Sequence, residues 1–302
     1  MSLLVAASGT GSLSAAARAL GVPLTTVSRA ISDLEAHLRT RLLNRSSRRL
    51  SLTDAGEAYL AACKRILEEV QEAERAATGE YHSPRGELTV AAPVAFGRLR
   101  VVPAIAAFLA LFPEIDIRLV LSDQVADLLE DRIDLAVRIG DLPDSGLSAV
   151  RVGVVRTVVC GSPGYFDTHG VPSHPEDLSG HACVTCVSLM APDVWKFSGE
   201  SSVLAVPVRS RLAVNTAEAA VDAAVTGVGI TRVLSYQAAD AMAAGLLRVV
   251  LEPFEPRPRP VHLVFHGGRR VPSKTRAFLD FAVAGLRAAL ADPDPAKQDG
   301  AA

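Results

Sequence analysis

Cysteine is scarce here: Cys63, Cys160, Cys183 and Cys186 are the four among 302 residues. Four scattered thiols in a chain this long do not make a disulfide framework, so a reducing compartment, the cytoplasm, is expected. Cys183-x-x-Cys186, with His181 two residues upstream, has a spacing found in metal and redox sites. A structural zinc takes four ligands, and no second pair is near. A redox pair opens a helix, whereas this one lies on or beside a strand. No metal and no cofactor are expected. No apolar run approaches the roughly 18 residues that span a bilayer, and the start, MSLLVAASGTG, lacks the basic n-region of a signal peptide. No membrane partner is therefore expected. The chain also lacks a G-x-S-x-G elbow, a nucleophile beside His174, His181, His262 or His266, and paired carboxylates in a cleft-like segment. It does not read as an enzyme. The two glycines of Thr226-Gly-Val-Gly-Ile230 are not followed by Lys-Ser/Thr, so they suit a turn or close packing rather than a phosphate loop. Trp195, the single tryptophan, is expected in a core or on a lobe surface.

What is present is uneven. About half the residues are hydrophobic (49%), enough for a sizeable core, and the length suits about two domains. The net charge is −2 overall. From Met1 to Thr53, however, seven arginines face two acids, a local net of +5 balanced by −7 in the remainder. A basic patch at one end is what phosphate contacts need.

That end carries two short helices around a glycine. Ser2 to Ala7 has helical spacing, and Gly9 and Gly11 are expected to break it. Ser12 can cap the next helix, in which Ala16, Ala17 and Leu20 share a face. Gly21 supplies the turn, and Val27, Ile31 and Leu34 continue the buried face on a second helix. This is the layout of a helix-turn-helix, whose second helix enters the DNA major groove. Its outer face offers Thr25, Thr26, Ser28, Arg29 and Ser32 for phosphates or base edges. A short hairpin follows, apolar at Leu43, Leu50 and Leu52 with a basic tip at Arg45, Arg48 and Arg49. Either feature alone could be solvated surface; side by side they favour DNA.

The run SLSAAARALGVPLTTVSRAISDLEAHLRTRLLNRSSRRLSLTDAGEAYL resembles the DNA-binding domain of the LysR-type transcriptional regulators. The resemblance implies a winged helix-turn-helix in which Thr25, Thr26, Ser28 and Arg29 face the groove and backbone, with Ser14 and Ser32 beside them. It also implies that Arg45, Arg48 and Arg49 grip phosphates from the wing. The chain departs from the family at two points: the first helix starts several residues late, and Pro23-Leu24 stand where a capping serine and a proline are usual.

Thr53 can cap a helix from Asp54 to about Thr78. Leu60, Cys63, Leu67 and Val70 recur at helical spacing, and Tyr59 and Ile66 widen the stripe. Packing against the chain's own domain is one way to cover it. The family resemblance implies another: an antiparallel helix pair between two subunits, giving a homo-oligomer, dimer or tetramer. Gly79 to Gly86 reads as a hinge.

From Glu87 the pattern is α/β, with mostly parallel strands expected. The first set of strands is Leu88–Ala92, Ile115–Leu121, Leu135–Arg138 and Thr157–Cys160. Its helices are Arg98–Leu111 and Asp123–Glu130. A second set holds strands Ala182–Thr185, Leu204–Val208, Arg211–Val214, Gly229–Val233 and Val261–Phe265. Its helices are Ala217–Thr226, Leu234–Ala244 and Ser273–Leu290. Two such lobes suggest a ligand cleft at strand C-termini.

The runs GELTVAAPVAFGRLRVVPAIAAFLALFPEIDIRL, DLAVRIGDL, RLAVNTAEAAVDAAVTGVGITRV and GLLRVVLEPF resemble the LysR-type effector domain, which is built like a periplasmic binding protein. The resemblance implies a small-molecule effector held by Pro93, Val94, Ala95 and Phe96, where helix N–H groups can hold an anion. Arg138, Asn215, Thr216, Gly229, Ile230 and Thr231 would line the other walls. The residue-level alternatives stay open: Arg138 as a structural arginine, Asn215 as a helix cap. Alanine at both 92 and 95, where the family commonly has a hydroxyl, favours a more apolar ligand.

The expected organisation is a winged helix-turn-helix (1–53), a linker and dimerisation helix with hinge (54–85), a two-lobed periplasmic-binding-protein-like α/β effector domain (86–291), and a disordered tail (292–302). The expected function is an oligomeric regulator that binds double-stranded operator DNA and responds to an effector. A solute-binding protein without specific DNA binding is the competing class.

Overall fold

The computed structural model describes residues 1–45, 50–78, 83–124, 128, 131–187, 194–199, 202–267 and 271–291. The chain divides into two units, residues 1–82 and 83–302. The expected hinge at 79–86 falls partly outside the described residues, and the expected tail at 292–302 wholly outside them.

The first unit runs α1 (Ser2–Thr10), α2 (Leu13–Leu20), α3 (Leu24–Leu38), a hairpin of β1 (Leu43–Arg45) and β2 (Leu50–Leu52), and α4 (Asp54–Thr78). Gly11 and Gly21 end α1 and α2 in the left-handed region, at φ 67° and 66°, which glycine adopts without strain. The Ser12 hydroxyl accepts the Ala15 N–H at 3.4 Å and so caps α2. Thr53 Oγ1 accepts the Gly56 N–H at 3.0 Å at the start of α4. Leu4, Ala7, Ala16, Ala17, Val27, Ile31, Leu42, Leu43 and Leu60 form one buried core. Two contacts fix the hairpin's root. One Glu35 carboxylate oxygen accepts the N–H groups of Leu42 (2.8 Å) and Leu43 (3.0 Å). The Leu42 carbonyl lies against Gly56 so closely that no Cβ fits there.

Two expectations for this unit are corrected. Gly9 does not break α1, which continues to Thr10; burial of Leu4 and Ala7 outweighs the cost of about 1 kcal/mol for an interior glycine. Leu20 does not share the buried face with Ala16 and Ala17 but is 43% exposed at the last position of α2.

The second unit runs β3 (Gly86–Ala92), α5 (Val94–Phe96), a π turn (Gly97–Val101), α6 (Val102–Leu111), β4 (Ile115–Leu121), β5 (Leu135–Ile139), β6 (Ser148–Val155), β7 (Thr157–Gly161) and α7 (Pro163–His169). It continues with β8 (Ala182–Cys186), β9 (Val194–Ser198), β10 (Val203–Pro207), β11 (Arg209–Val214), α8 (Ala217–Val225), β12 (Ile230–Leu234), α9 (Ser235–Ala243), β13 (Arg248–Val250), β14 (Arg259–Phe265) and α10 (Ser273–Ala291). Two five-stranded sheets result, in the orders β4-β3-β5-β14-β6 and β11-β8-β12-β7-β13. The first packs on Phe96, Phe108 and Phe278 from the helices. The second has Tyr165, Phe166 and Trp195 on one face and Ala220, Ala224 and Ala238 on the other. Trp195 is thus a core residue, and Cys183 and Cys186 are buried on β8.

The sheets are mixed rather than mostly parallel. β14 pairs antiparallel with β5 and β6, and β7 antiparallel with β12 and β13. The chain also crosses between lobes twice. Thr157–Cys160, expected in the first set, belongs to the second sheet, and Val261–Phe265, expected in the second, returns to the middle of the first. Apolar runs announce strands but not their partners. The helix expected from Arg98 begins at Val94 and passes through the π turn. The helix expected over Asp123–Glu130 lies largely outside the described residues, and Asp123 and Gln124 are not helical. Strands β6, β9 and β13 and helix α7 had no counterpart in the sequence reading.

The helical stretch Val94–Leu111 is long and apolar enough to cross a bilayer by length and composition, with mean hydropathy 1.8. This corrects the expectation that no run approaches that length. Ala95, Phe96, Val101, Ile105 and Phe108 bury one face of it in the first lobe, as in a core helix.

Candidate DNA-reading helix and ligand cavity

Helix α3 has two faces. Val27 and Ile31 are fully buried against α1 and α2. Thr25, Thr26 and Arg29 are exposed on the other side, with Ser28 and Ser32 half-buried beside them. The Arg29 guanidinium lies 3.9 Å from the Asp33 carboxylate, both side chains being mostly exposed (86% and 73%). An ion pair this open holds little energy, so it leaves the guanidinium available to a phosphate. Ser14 is half-buried, its hydroxyl 2.8 Å from that of Ser12. Pro23 opens α3 with no side-chain cap. Leu24, 48% exposed in the first turn, joins the face, an apolar side chain that no hydroxyl-and-arginine pattern singles out. Arg45 ends β1, while Arg48 and Arg49 lie outside the described residues.

Along α4, Leu60 and Cys63 are buried within the unit and Tyr59 packs on its core. Further on, Leu67 is half-buried, while Ile66 and Val70 are 40% and 47% exposed.

In the second unit a cavity of about 230 Å³ opens at the C-terminal ends of β3, β4 and β5. Strand ends are where open α/β sheets bind ligands. Pro93 and Arg138 line it together with Ser122, Asp123, Gln124, Tyr236 and Arg259, over a floor of Ala91, Ala92, Ala136 and Val137. Behind Pro93, Ala95 and Phe96 are core residues, and Phe96 meets Tyr236 edge to face at 5.3 Å. The Val94 N–H does not face an empty anion site. It donates to Asp123 Oδ1 at 3.1 Å, so an internal carboxylate sits where the helix end was expected to receive one from a ligand.

The remaining expected effector contacts lie away from this wall. Asn215 is exposed, and Thr216 caps α8 by accepting the Ala219 N–H at 3.3 Å. Gly229 is a packing glycine, since the Ala182 carbonyl occupies the place of a Cβ. Ile230 is in the second lobe's core, and the Thr231 hydroxyl donates to the Val184 carbonyl at 3.1 Å. Asp123 directly follows a strand, so the strand-end rule points to it, whereas Pro93 was expected from the family resemblance; Tyr236 near the start of α9 and Arg259 at the start of β14 come from elements far along the chain that no local pattern ties to this wall.

Electrostatics divides the cavity. Burial, and then the charge of Arg259, lowers the Arg232 guanidinium to about 10. Arg232 donates to the Lys196 carbonyl at 3.2 Å and lies over Trp195. Positive charge is therefore crowded around Arg259. Burial, and then the Asp123 carboxylate, pushes the Tyr236 hydroxyl well above the ordinary tyrosine range, so it keeps its proton. Among the described residues no group of side chains has the make-up of a metal site.

Residues 1–57 match the family profile described as the bacterial regulatory helix-turn-helix protein, lysR family, and residues 82–287 match the LysR substrate binding domain. The chain belongs to the LysR family of bacterial transcriptional regulators. An HTH-type transcriptional regulator of Xanthomonas campestris pv. campestris is 37% identical over 91% of this chain and 81% of its own length. The probable HTH-type regulator LtrA of Klebsiella pneumoniae is 34% identical over 90% and 89%. Among solved structures, the LysR-type regulator CrgA of Neisseria meningitidis is similar with a TM-score of 0.62 and 30% identity, covering 94% of this chain and 97% of that one. The fold is a helix-turn-helix joined to a LysR effector domain, and the family regulates transcription rather than catalysing a reaction.

Proposed function

We propose that this LysR-type regulator binds operator DNA as an oligomer and changes its grip when a small molecule fills the cavity at Pro93 and Arg138. The outer face of α3 carries the proposal: hydroxyls and one guanidinium stand clear of a core made by Val27 and Ile31. Thr25, Thr26, Ser28, Arg29 and Ser32, with Ser14, meet the groove and its phosphates, while Arg45, Arg48 and Arg49 add backbone contacts from the hairpin. Two such helices in a dimer read two half-sites about one helical turn apart. The outer part of α4, at Ile66, Leu67 and Val70, supplies the dimer contact, and Tyr59, Leu60 and Cys63 seat its first turns in the unit's own core.

Residues 1–53 then act as the reader, 54–85 as the linker and 86–291 as the sensor, in the cytoplasm where the DNA is. The effector shifts binding by as much as its affinities for two states differ, and no more. Footprinting on the DNA upstream of the protein's own gene, with and without a panel of metabolites, tests this. Two protected segments one turn apart, altered by at least one metabolite, are expected. The absence of protection on every promoter fragment overturns the proposal.

A further inference from the structure

A large apolar side chain stands beside the hydroxyls and the guanidinium of α3. Leu24 is the first residue of the helix and is 48% exposed. The core of the first unit closes over Val27 and Ile31 and draws in Val22, Leu34 and Leu38, but not Leu24. The backbone that carries it is held on both sides. The Val22 N–H donates to the Ala17 carbonyl at 3.0 Å, and the Pro23 carbonyl accepts the N–H groups of Thr26 (3.0 Å) and Val27 (3.3 Å). Leu24 stands one turn before Ser28, as Thr25 stands one turn before Arg29, so the two pairs form adjacent stripes on the helix.

A recognition helix meets base edges with its N-terminal residues. Side chains on a helix lean toward that same end, which carries Leu24 toward the bases. Leucine neither donates nor accepts a hydrogen bond, so a phosphate offers it nothing. On the major-groove edges of the four bases the apolar feature is the C5 methyl of thymine. Cytosine would set its N4 amino group against the leucine instead, and a donor stripped of water without a partner is penalised. The purines present N7 acceptors there, which leucine cannot satisfy either.

We infer that Leu24 selects thymine at one position of each half-site by covering its C5 methyl group. This rests on reading α3 as the helix that enters the groove. Anisotropy titration of the full chain on a synthetic duplex of the footprinted site tests it, with each dT of a half-site replaced in turn by dU. The exchange keeps every hydrogen-bonding group and removes only the methyl. The proteins compared are the native chain, Leu24→Ala, Thr25→Ser and Arg29→Ala. At one position dU should weaken native binding about fourfold, the value of one methyl group taken out of water. Leu24→Ala should bind the dT duplex about fourfold more weakly and treat dT and dU alike there, while Thr25→Ser and Arg29→Ala keep the difference. Suppose that dU costs nothing at any position, that its cost persists in Leu24→Ala, or that Thr25→Ser removes it instead, while Arg29→Ala still weakens binding. This inference then falls and the reading of α3 stands. If neither Leu24→Ala nor Arg29→Ala alters binding, both fall.

Discussion

In the first unit the functional face and the core beneath it come from one stretch, residues 24–38, so each turn of α3 carries both. In the second unit the cavity wall is assembled from five separate parts of the chain: Pro93, Asp123, Arg138, Tyr236 and Arg259. The contrast makes them sensitive to different damage. A change on the outside of α3 removes a contact and leaves the frame. The cavity depends on two lobe crossings, so a change in the frame of either sheet displaces groups that never touch the altered residue.

The largest expected effects break one unit and spare the other. Gly229→Ala places a Cβ on the Ala182 carbonyl, between β12 and β8. Gly56→Ala places one on the Leu42 carbonyl. In both cases backbone must shift, and each substitution should cost about 4 kcal/mol or more in its own unit. Urea unfolding should show two transitions, with Gly229→Ala moving that of the second unit and Gly56→Ala that of the first. A single transition shifted equally by both would erase the distinction between the units.

A smaller effect sharpens the picture of the first unit. Glu35→Ala leaves the N–H groups of Leu42 and Leu43 without their carboxylate. The loss should be about 2 kcal/mol, and DNA binding should fall with it because the hairpin's root loosens while the outer face of α3 is unchanged. Thermal melts at matched DNA affinity check whether the two losses move together.

The smallest expected effect belongs to the second unit and depends on pH. The Tyr165 hydroxyl accepts the Ala182 N–H at 2.9 Å and is hydrogen-bonded to His181 Nδ1, 3.3 Å away. Burial, and then the charge of His169, lowers the His181 imidazole below its ordinary 6.5. The unfolded chain therefore takes up the proton first. The stabilisation is whole above pH 6.5 and is lost as pH falls from there through the lower folded value. Melting the second unit from pH 7.5 to 5.0 should show a downward drift that His181→Gln reduces; an unchanged drift in the variant removes His181 as its source.

The contrast also explains what was legible in the sequence. Ser12, Gly21, Val27, Ile31 and Thr53 act within a few residues of themselves, so their caps, turn and buried face could be read directly. The strand positions β4 and β5 were equally plain, because a run of β-branched residues marks a strand wherever it pairs. Pairing itself was not legible: nothing in Val261–Phe265 says that it inserts between β5 and β6. The same blindness hid Arg259 and Tyr236, while Asn215 to Thr231, inferred by resemblance, lie off the cavity wall. Asp123 is a different case, since its residue type does not say that the Val94 N–H will be its partner.

In the DNA-bound protein the outer face of α3 should lie against the duplex. Anisotropy titration of a labelled promoter fragment across a salt series, for the native chain and Arg29→Ala, tests it most directly. The variant should bind roughly tenfold more weakly, with a salt slope shallower by about one and unchanged thermal stability. Equal affinity and equal slope for the two proteins would contradict it.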